Sequence, residues 1–110
     1  MKIAISASGK SLDDNVAELF GRCPYFVIAE VEDGKIIKTT ALKNESENQS
    51  SGAGMAAAQL LAEKEVDAVI AKIVGPRAIS VLKQFDIEVY NREGMIKNVL
   101  QEFVAKKLKK

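Results

Sequence analysis

The chain contains 110 residues, a length that accommodates one domain with one hydrophobic core, so we treat residues 1–110 as a single domain. Its 16 lysines and arginines nearly balance 15 aspartates and glutamates, and 47% of its residues are hydrophobic. This composition is typical of a globular protein and disfavours nucleic acid as a partner. Because the chain has no histidine and one cysteine, Cys23, it cannot form a Ser-His-Asp or Cys-His nucleophile, a two-histidine zinc site or an internal disulfide.

The single thiol also limits how a metal could be held. Four thiolates usually bind an iron–sulfur cluster, so a metal centre bound by this chain must bring ligands of its own. The first residues lack the basic and apolar segments of an export signal, and no apolar run approaches the ~20 residues of a membrane helix. We therefore expect a cytoplasmic protein with no membrane partner, in which Cys23 stays reduced.

The first half of the chain predicts three strands. Residues 2–7 form a β-branched run that ends in a Ser-Gly-Lys turn, and the polar residues 13–15 offer N-caps to a short helix over residues 16–20. Two β-rich runs, residues 25–32 and 35–42, flank Asp33-Gly34, the dipeptide typical of a type I′ hairpin turn. Lysines at positions 35, 38 and 43 mark the second arm as an edge strand.

The second half alternates helices and strands. After a polar loop over residues 44–51, residues 55–64 predict a helix and the apolar residues 66–74 a buried strand. A second helix begins at Gly75-Pro76, with an apolar face at positions 78, 81, 82 and 85. A last strand covers residues 87–90. A final helix from about Met95 has its apolar stripe at positions 96, 99, 100 and 103 and ends in lysines that we expect to be solvated.

This order predicts an α/β fold with one mixed five-stranded sheet and helices on both faces. The simplest strand order is 3-2-1-4-5, with strand 2 antiparallel to its neighbours and right-handed crossovers placing strands 4 and 5 parallel to strand 1. The turns after strands 1 and 4 then leave the same sheet edge side by side, where open α/β sheets bind ligands.

Two glycine turns lie at that edge. Gly52-Ala53-Gly54 opens one helix and fits the weak G-x-G-x-x-A pattern, but a loop precedes it where a dinucleotide site requires a strand. Gly75-Pro76-Arg77 opens the other helix, and its arginine could contact an oxyanion in a bidentate manner. Each turn is either a plain helix start or an anion site made of backbone N–H groups.

Arg22 and Cys23 form the most unusual local pair, in a loop bounded by Gly21 and Pro24. A neighbouring guanidinium favours the thiolate that binds soft metals, whereas the other interpretation is an inert, buried cysteine. The topology is that of ribonuclease H, but the first strand carries no carboxylate. A metal-dependent nuclease is therefore poorly supported.

Three segments in this order carry a family resemblance: Met-Lys-Ile-Ala-Ile at residues 1–5, Phe-Gly-Arg-x-Pro-Tyr-Phe at 20–26, and the glycine turns at 52–54 and 73–78. The chain resembles the dinitrogenase iron-molybdenum cofactor biosynthesis family, which includes NifX-like carriers and the C-terminal part of NifB. The resemblance implies a ribonuclease-H-like three-layer fold and a non-enzymatic carrier or insertion accessory for an iron-molybdenum or iron-sulfur type cluster, with cluster donor and acceptor proteins as partners. Many members place a histidine where this chain has Leu19, so Cys23 is the expected substitute ligand.

The expected site surrounds the sheet edge described above. We predict no catalytic residue, Cys23 as the metal ligand, and a cluster-binding set of Ser6, Ser8, Gly9, Gly21, Arg22, Cys23, Gly52, Gly54, Gly75 and Arg77. The alternative from another functional class is an anion- or nucleotide-binding regulatory module that uses the same helix N-termini.

Overall fold

Five strands form one mixed sheet in the computed structural model, which describes residues 1–105. They are β1 (Lys2–Ala7), β2 (Tyr25–Glu32), β3 (Lys35–Lys43), β4 (Ala68–Ala71) and β5 (Glu88–Asn91). Their spatial order is β3-β2-β1-β4-β5, with β2 antiparallel to β1 and β3, and β4 parallel to β1 and β5. The predicted mixed sheet and strand order are therefore confirmed, whereas the ribonuclease-H-like assignment stays a prediction.

Three helices cover the two faces of the sheet. They are α1 (Ala53–Glu63), α2 (Pro76–Gln84) and α3 (Ile96–Val104). On one face, α1 and α2 enclose a core that includes Phe26, Leu61 and Leu82. On the other, α3 buries Ile96 and Leu100 against inward-facing residues of β1, β2 and β4. Alternation along β1 supplies both cores, because successive side chains of a strand point to opposite faces. The lysine-rich end of the predicted last helix, residues 106–110, lies outside the described residues.

The β2–β3 hairpin forms as its turn residues predict. Asp33 has φ +50° and Gly34 has φ +74°, the two positive values that a type I′ turn requires. Strand β3 is the exposed edge, and its register against β2 shifts between Glu30 and Val31. The lysine-bearing strand is thus the edge strand that the sequence predicted.

The predicted helix over residues 16–20 is wrong. Val16 instead bridges Ala7 in antiparallel fashion, Leu19 bridges Ile73 in parallel fashion, and only a 3-10 turn, Phe20–Arg22, follows. Val16 is buried in the α3-side core and Phe20 in the α1/α2-side core. A regular helix would place positions 16 and 20 on the same face, whereas the bridges and the 3-10 turn let these two side chains enter different cores, so tertiary packing overrides the local capping signal.

Two predicted apolar assignments also differ from the structure. The strand predicted over residues 66–74 is regular only over β4, and Ile73 beyond it is 46% exposed. Phe85, predicted on the apolar face of the second helix, is 56% exposed because α2 ends at Gln84 and Phe85 turns the chain towards β5.

We expect Gly34→Ala to lower the free energy of unfolding by about 1 kcal/mol, because a side chain at φ +74° is strained although nothing lies within 4 Å of its Cβ position. Gly75→Ala is the matched control, since Gly75 is equally uncrowded but has φ −65° and ψ 158°, which alanine adopts without strain. Urea denaturation of both variants measures the difference. Equal destabilisation would contradict this account of the turn.

Candidate functional site

A cleft of about 420 Å³ lies at the carboxyl ends of β1 and β4. It is lined by residues 19–22, 52–55, 73 and 75–78, which come from the 3-10 turn, the start of α1, the end of the β4 segment and the start of α2. The starts of α1 and α2 lie together at this end of the sheet because α1 follows β3, α2 follows β4, and both strands run in the same direction as β1.

Glycine at position 21 permits one close approach that shapes the cleft. A Cβ atom on Gly21 would lie 2.5 Å from the Gly54 backbone nitrogen, so only glycine lets the 3-10 turn rest directly against the first turn of α1. A Cβ on Gly54 would lie 3.3 Å from Ala78 Cβ, which shows that α1 and α2 also pack closely at their N-terminal ends. Small residues thus bring three backbone segments together.

Both helices present uncapped N-termini at the cleft. Neither N-cap, Gly52 or Gly75, has a side chain that accepts a hydrogen bond, and the first intrahelical bonds are donated by Ala56 and Ile79. The N–H groups of the preceding residues therefore have no intrahelical acceptor. Because each helix N-terminus also carries positive partial charge, the two together favour an anion.

The two arginines of the predicted site differ in their contacts. The Arg22 Nη1 atom donates to the backbone carbonyls of Glu47 and Gln49, the former at 3.2 Å, so this guanidinium ties the 44–51 loop to the cleft wall. Arg77, at the first turn of α2, is exposed and makes no side-chain hydrogen bond within residues 1–105. Arg77 is therefore the guanidinium more readily available to a ligand.

The rim of the cleft is apolar. Leu19, Met55 and Ile73 line it with 46%, 37% and 46% of their surfaces exposed. None of the three was expected in the site from the sequence, because the bridge between Leu19 and Ile73, and not the local sequence pattern, determines which side chains are exposed at the cleft rim. One sequence feature could have indicated that Leu19 lies in the site: it occupies the position that holds a histidine in many members of the family that the chain resembles.

Cys23 lies behind the cleft wall and not at its surface. The side chain is 1% exposed, and its thiol donates a hydrogen bond to the Phe20 carbonyl at 3.1 Å. Burial raises the pKa of the Cys23 thiol to about 12, and this effect outweighs hydrogen bonds from the Ala7 N–H and the Asn44 side chain. From the sequence, Cys23 was either a metal-binding thiolate favoured by Arg22 or an inert, buried cysteine, and in this arrangement it is a protonated, buried thiol. We therefore leave it out of the ligand-contacting groups.

Three other predicted residues also lie away from the cleft lining. Ser6 is fully buried in β1, and its hydroxyl has no hydrogen-bond partner among the described residues. Ser8 accepts a hydrogen bond from the Asn15 N–H, and Gly9 lies against the Asp14 carboxylate. The predicted residues that the structure does bring together are Gly21, Arg22, Gly52, Gly54, Gly75 and Arg77.

Asn44 holds the loop against the cleft wall, a role that the sequence did not reveal. Its buried side chain donates to the carbonyls of Gly21 at 3.1 Å and Cys23 at 2.8 Å. Its Oδ1 atom accepts hydrogen bonds from the Ser46 N–H and hydroxyl, at 3.2 and 2.8 Å. All hydrogen-bonding groups of the amide are thereby used, and the loop is fixed to the 3-10 turn.

Residues 1–105 contain no group of three or more His, Cys, Asp or Glu side chains placed to hold a metal ion. The same residues include no helix that is both long enough and apolar enough to cross a membrane. The groups that the cleft offers are backbone N–H donors, guanidinium and apolar side chains. Such a set suits an anion that already carries its metal ligands.

The family model for dinitrogenase iron-molybdenum cofactor proteins matches residues 1–106. The chain belongs to this family. Membership associates it with the binding or biosynthesis of that cofactor and with an accessory or binding type of protein.

The chain is also similar to individual proteins and solved structures. The uncharacterized protein MJ0580 of Methanocaldococcus jannaschii is 36% identical over 111 residues, which cover 100% of this chain and 91% of that protein. The apo form of the orange protein from Desulfovibrio gigas is 30% identical, with a TM-score of 0.89 over 98% of this chain and 90% of its own. The Thermotoga protein TM1290, a candidate NifB protein, is 27% identical, with a TM-score of 0.81 over 99% and 91% of the two chains.

We expect Asn44→Asp to lower the free energy of unfolding by about 3 kcal/mol, because a carboxylate oxygen would replace the amide donor that faces the Gly21 and Cys23 carbonyls. Asn48→Asp adds the same charge to an exposed position of the same loop and should change stability by less than about 0.5 kcal/mol. Chemical denaturation of both variants provides the comparison. Similar losses in the two would show that the amide contacts contribute little.

The raised pKa of Cys23 also predicts a pH dependence. The folded protein holds this proton more tightly than the unfolded chain, whose thiol pKa is near 9.0. The protonated thiol therefore contributes fully to the stability of the folded state below pH 9, and this contribution is lost as the pH rises towards a pKa of about 12. One such group lowers the free energy of unfolding by at most about 1.4 kcal/mol per pH unit in this range. Denaturation of the wild type and Cys23→Ala between pH 8 and pH 11 measures it, and identical slopes would contradict the burial of the thiol.

Proposed function

We propose that this protein is a non-enzymatic carrier or insertion accessory for an iron-molybdenum or related metal-sulfur cluster. The observation that supports this proposal most directly is the opening of two uncapped helix N-termini onto one cleft with an apolar rim. Family membership supplies the cofactor class. In this proposal the protein acts as a single domain in the cytoplasm, receives the cluster from a donor protein and delivers it to an acceptor.

The chemistry of the cleft fits such a cargo. A preassembled cluster is anionic and has its own sulfide ligands, so it can be bound by N–H groups and a guanidinium without a nest of cysteines. The start of α1, the start of α2 and Arg77 would supply the positive potential. The apolar side chains of Leu19 and Ile73 would contact the weakly hydrated sulfide surface and exclude water, which strengthens the interactions with the anion.

A second candidate function uses the same N–H groups. Two convergent helix starts with Arg77 could also hold the phosphates of a nucleotide, as in an anion- or nucleotide-binding regulatory module. The apolar rim favours the cluster, because the side chains of Leu19 and Ile73 provide no hydrogen-bonding groups for a sugar.

Anaerobic mixing of the apo protein with iron-molybdenum cofactor extracted from dinitrogenase, and separately with a synthetic iron–sulfur cluster, tests the proposal. We expect a visible charge-transfer band that stays with the protein through desalting. Arg77→Gln should weaken retention about tenfold, because it removes a charged contact at the cleft. Lys83→Gln removes the same charge from the last turn of the same helix and should leave retention unchanged.

Two outcomes would count against cluster carriage. A colourless protein after desalting, with either cluster, would overturn it. A rise in thermal midpoint with ATP or GTP, together with no response to either cluster, would favour the nucleotide-binding module.

A further inference from the structure

The chain has three methionines and one cysteine, and one of these four sulfur-containing side chains lines the cleft. Cys23 is buried behind the wall. Met1 precedes β1 and therefore lies at the amino end of that strand, away from the cleft. Met95 precedes α3, which covers the opposite face of the sheet. Met55, in the first turn of α1, lines the cleft and is 37% exposed.

The other cleft residues are poor ligands for a metal. Among residues 1–105, no side chain that lines the cleft is a carboxylate, an imidazole, an amide or a hydroxyl. The guanidinium groups of Arg22 and Arg77 only donate hydrogen bonds and stay charged. Within the described part of the chain, the thioether of Met55 is thus the one side-chain group of the cleft lining that has a lone pair for a metal, and thioethers select soft, sulfur-seeking metals.

We propose that Met55 Sδ donates a lone pair to a soft metal of the cargo at the start of α1 and displaces a solvent ligand from that metal, so that no bond between the metal and the cluster's own sulfides is broken. Its position places it beside the first-turn N–H groups, so an anionic cluster held by those groups would bring its metal to the same rim. The inference rests on the proposed function and adds to it a direct protein–metal bond. It also assigns to Met55 the ligand role that the sequence suggested for Cys23.

Silver(I), a soft ion with no colour or unpaired electrons, tests the thioether without any cluster. The protein is labelled at the methionine methyl groups with carbon-13, and the three signals are assigned with Met→Leu variants. We expect the Met55 methyl signal to shift at the lowest silver concentrations and the Met95 signal only at about tenfold higher concentrations. Met95 is the matched control because it is also 37% exposed. Repeating the titration in Cys23→Ala removes the competing thiol.

The second arm uses the two clusters named above. Met55→Leu keeps the size and apolar character of the side chain but removes the sulfur, and we expect it to release the cluster about tenfold faster than the wild type. It should also shift the charge-transfer band, which a purely packing role would not do. Met95→Leu should match the wild type in both measurements.

The outcomes separate the two proposals. Retention and a spectrum in Met55→Leu equal to those of the wild type would overturn the metal bond and leave cluster carriage intact. If the wild type retains neither cluster, carriage fails, and the silver titration alone decides on the thioether. A Met55 signal that shifts no earlier than that of Met95 would overturn the inference in either case.

Discussion

The candidate site depends on the close approach of the starts of two helices. Gly21 touches the backbone of Gly54, and Gly54 in turn meets Ala78, so no side chain separates the 3-10 turn, α1 and α2. Each helix N-terminus has a partial charge of roughly +0.5. Placing two of them at one cleft costs electrostatic energy, which the apolar packing of α1 and α2 on the sheet offsets. A bound anion would relieve that repulsion, which is why the arrangement favours an anionic ligand over a neutral one.

The apolar rim restricts which anions would bind well in the cleft. A small, strongly hydrated anion such as phosphate would lose water at Leu19 and Ile73 without gaining hydrogen bonds from them. A large cluster with a sulfide surface spreads its charge and loses less hydration. The same rim lowers the local dielectric constant, so N–H and guanidinium contacts become stronger. In the proposed function, the combination of N–H groups and apolar side chains would discriminate between two negatively charged ligands by their surface chemistry.

The strand order of the sheet could be predicted from the sequence because it is determined by short turn motifs and by the elements that connect the strands. Asp33-Gly34 sets the hairpin, and the helices between later strands require parallel pairing. The site could be predicted only in part. Glycine turns indicate helix starts, but the burial of Cys23 and the exposure of Ile73 depend on contacts between distant segments. Asn44 looks like an ordinary loop residue, and only its partners at Gly21 and Cys23 show its role.

The two arginines at the cleft have different roles: Arg22 stabilises the loop, and Arg77 is available to a ligand. Arg22 donates through Nη1 to the carbonyls of Glu47 and Gln49, and the Asn44 side chain ties the same loop to the carbonyls of Gly21 and Cys23. Both contacts keep the 3-10 turn in place. Arg77, in contrast, has no side-chain hydrogen bond within the described part of the chain and extends from a helix start that is fixed by packing. A ligand can therefore recruit the Arg77 guanidinium without breaking internal contacts, whereas redirecting the Arg22 Nη1 atom would break its hydrogen bonds to the loop.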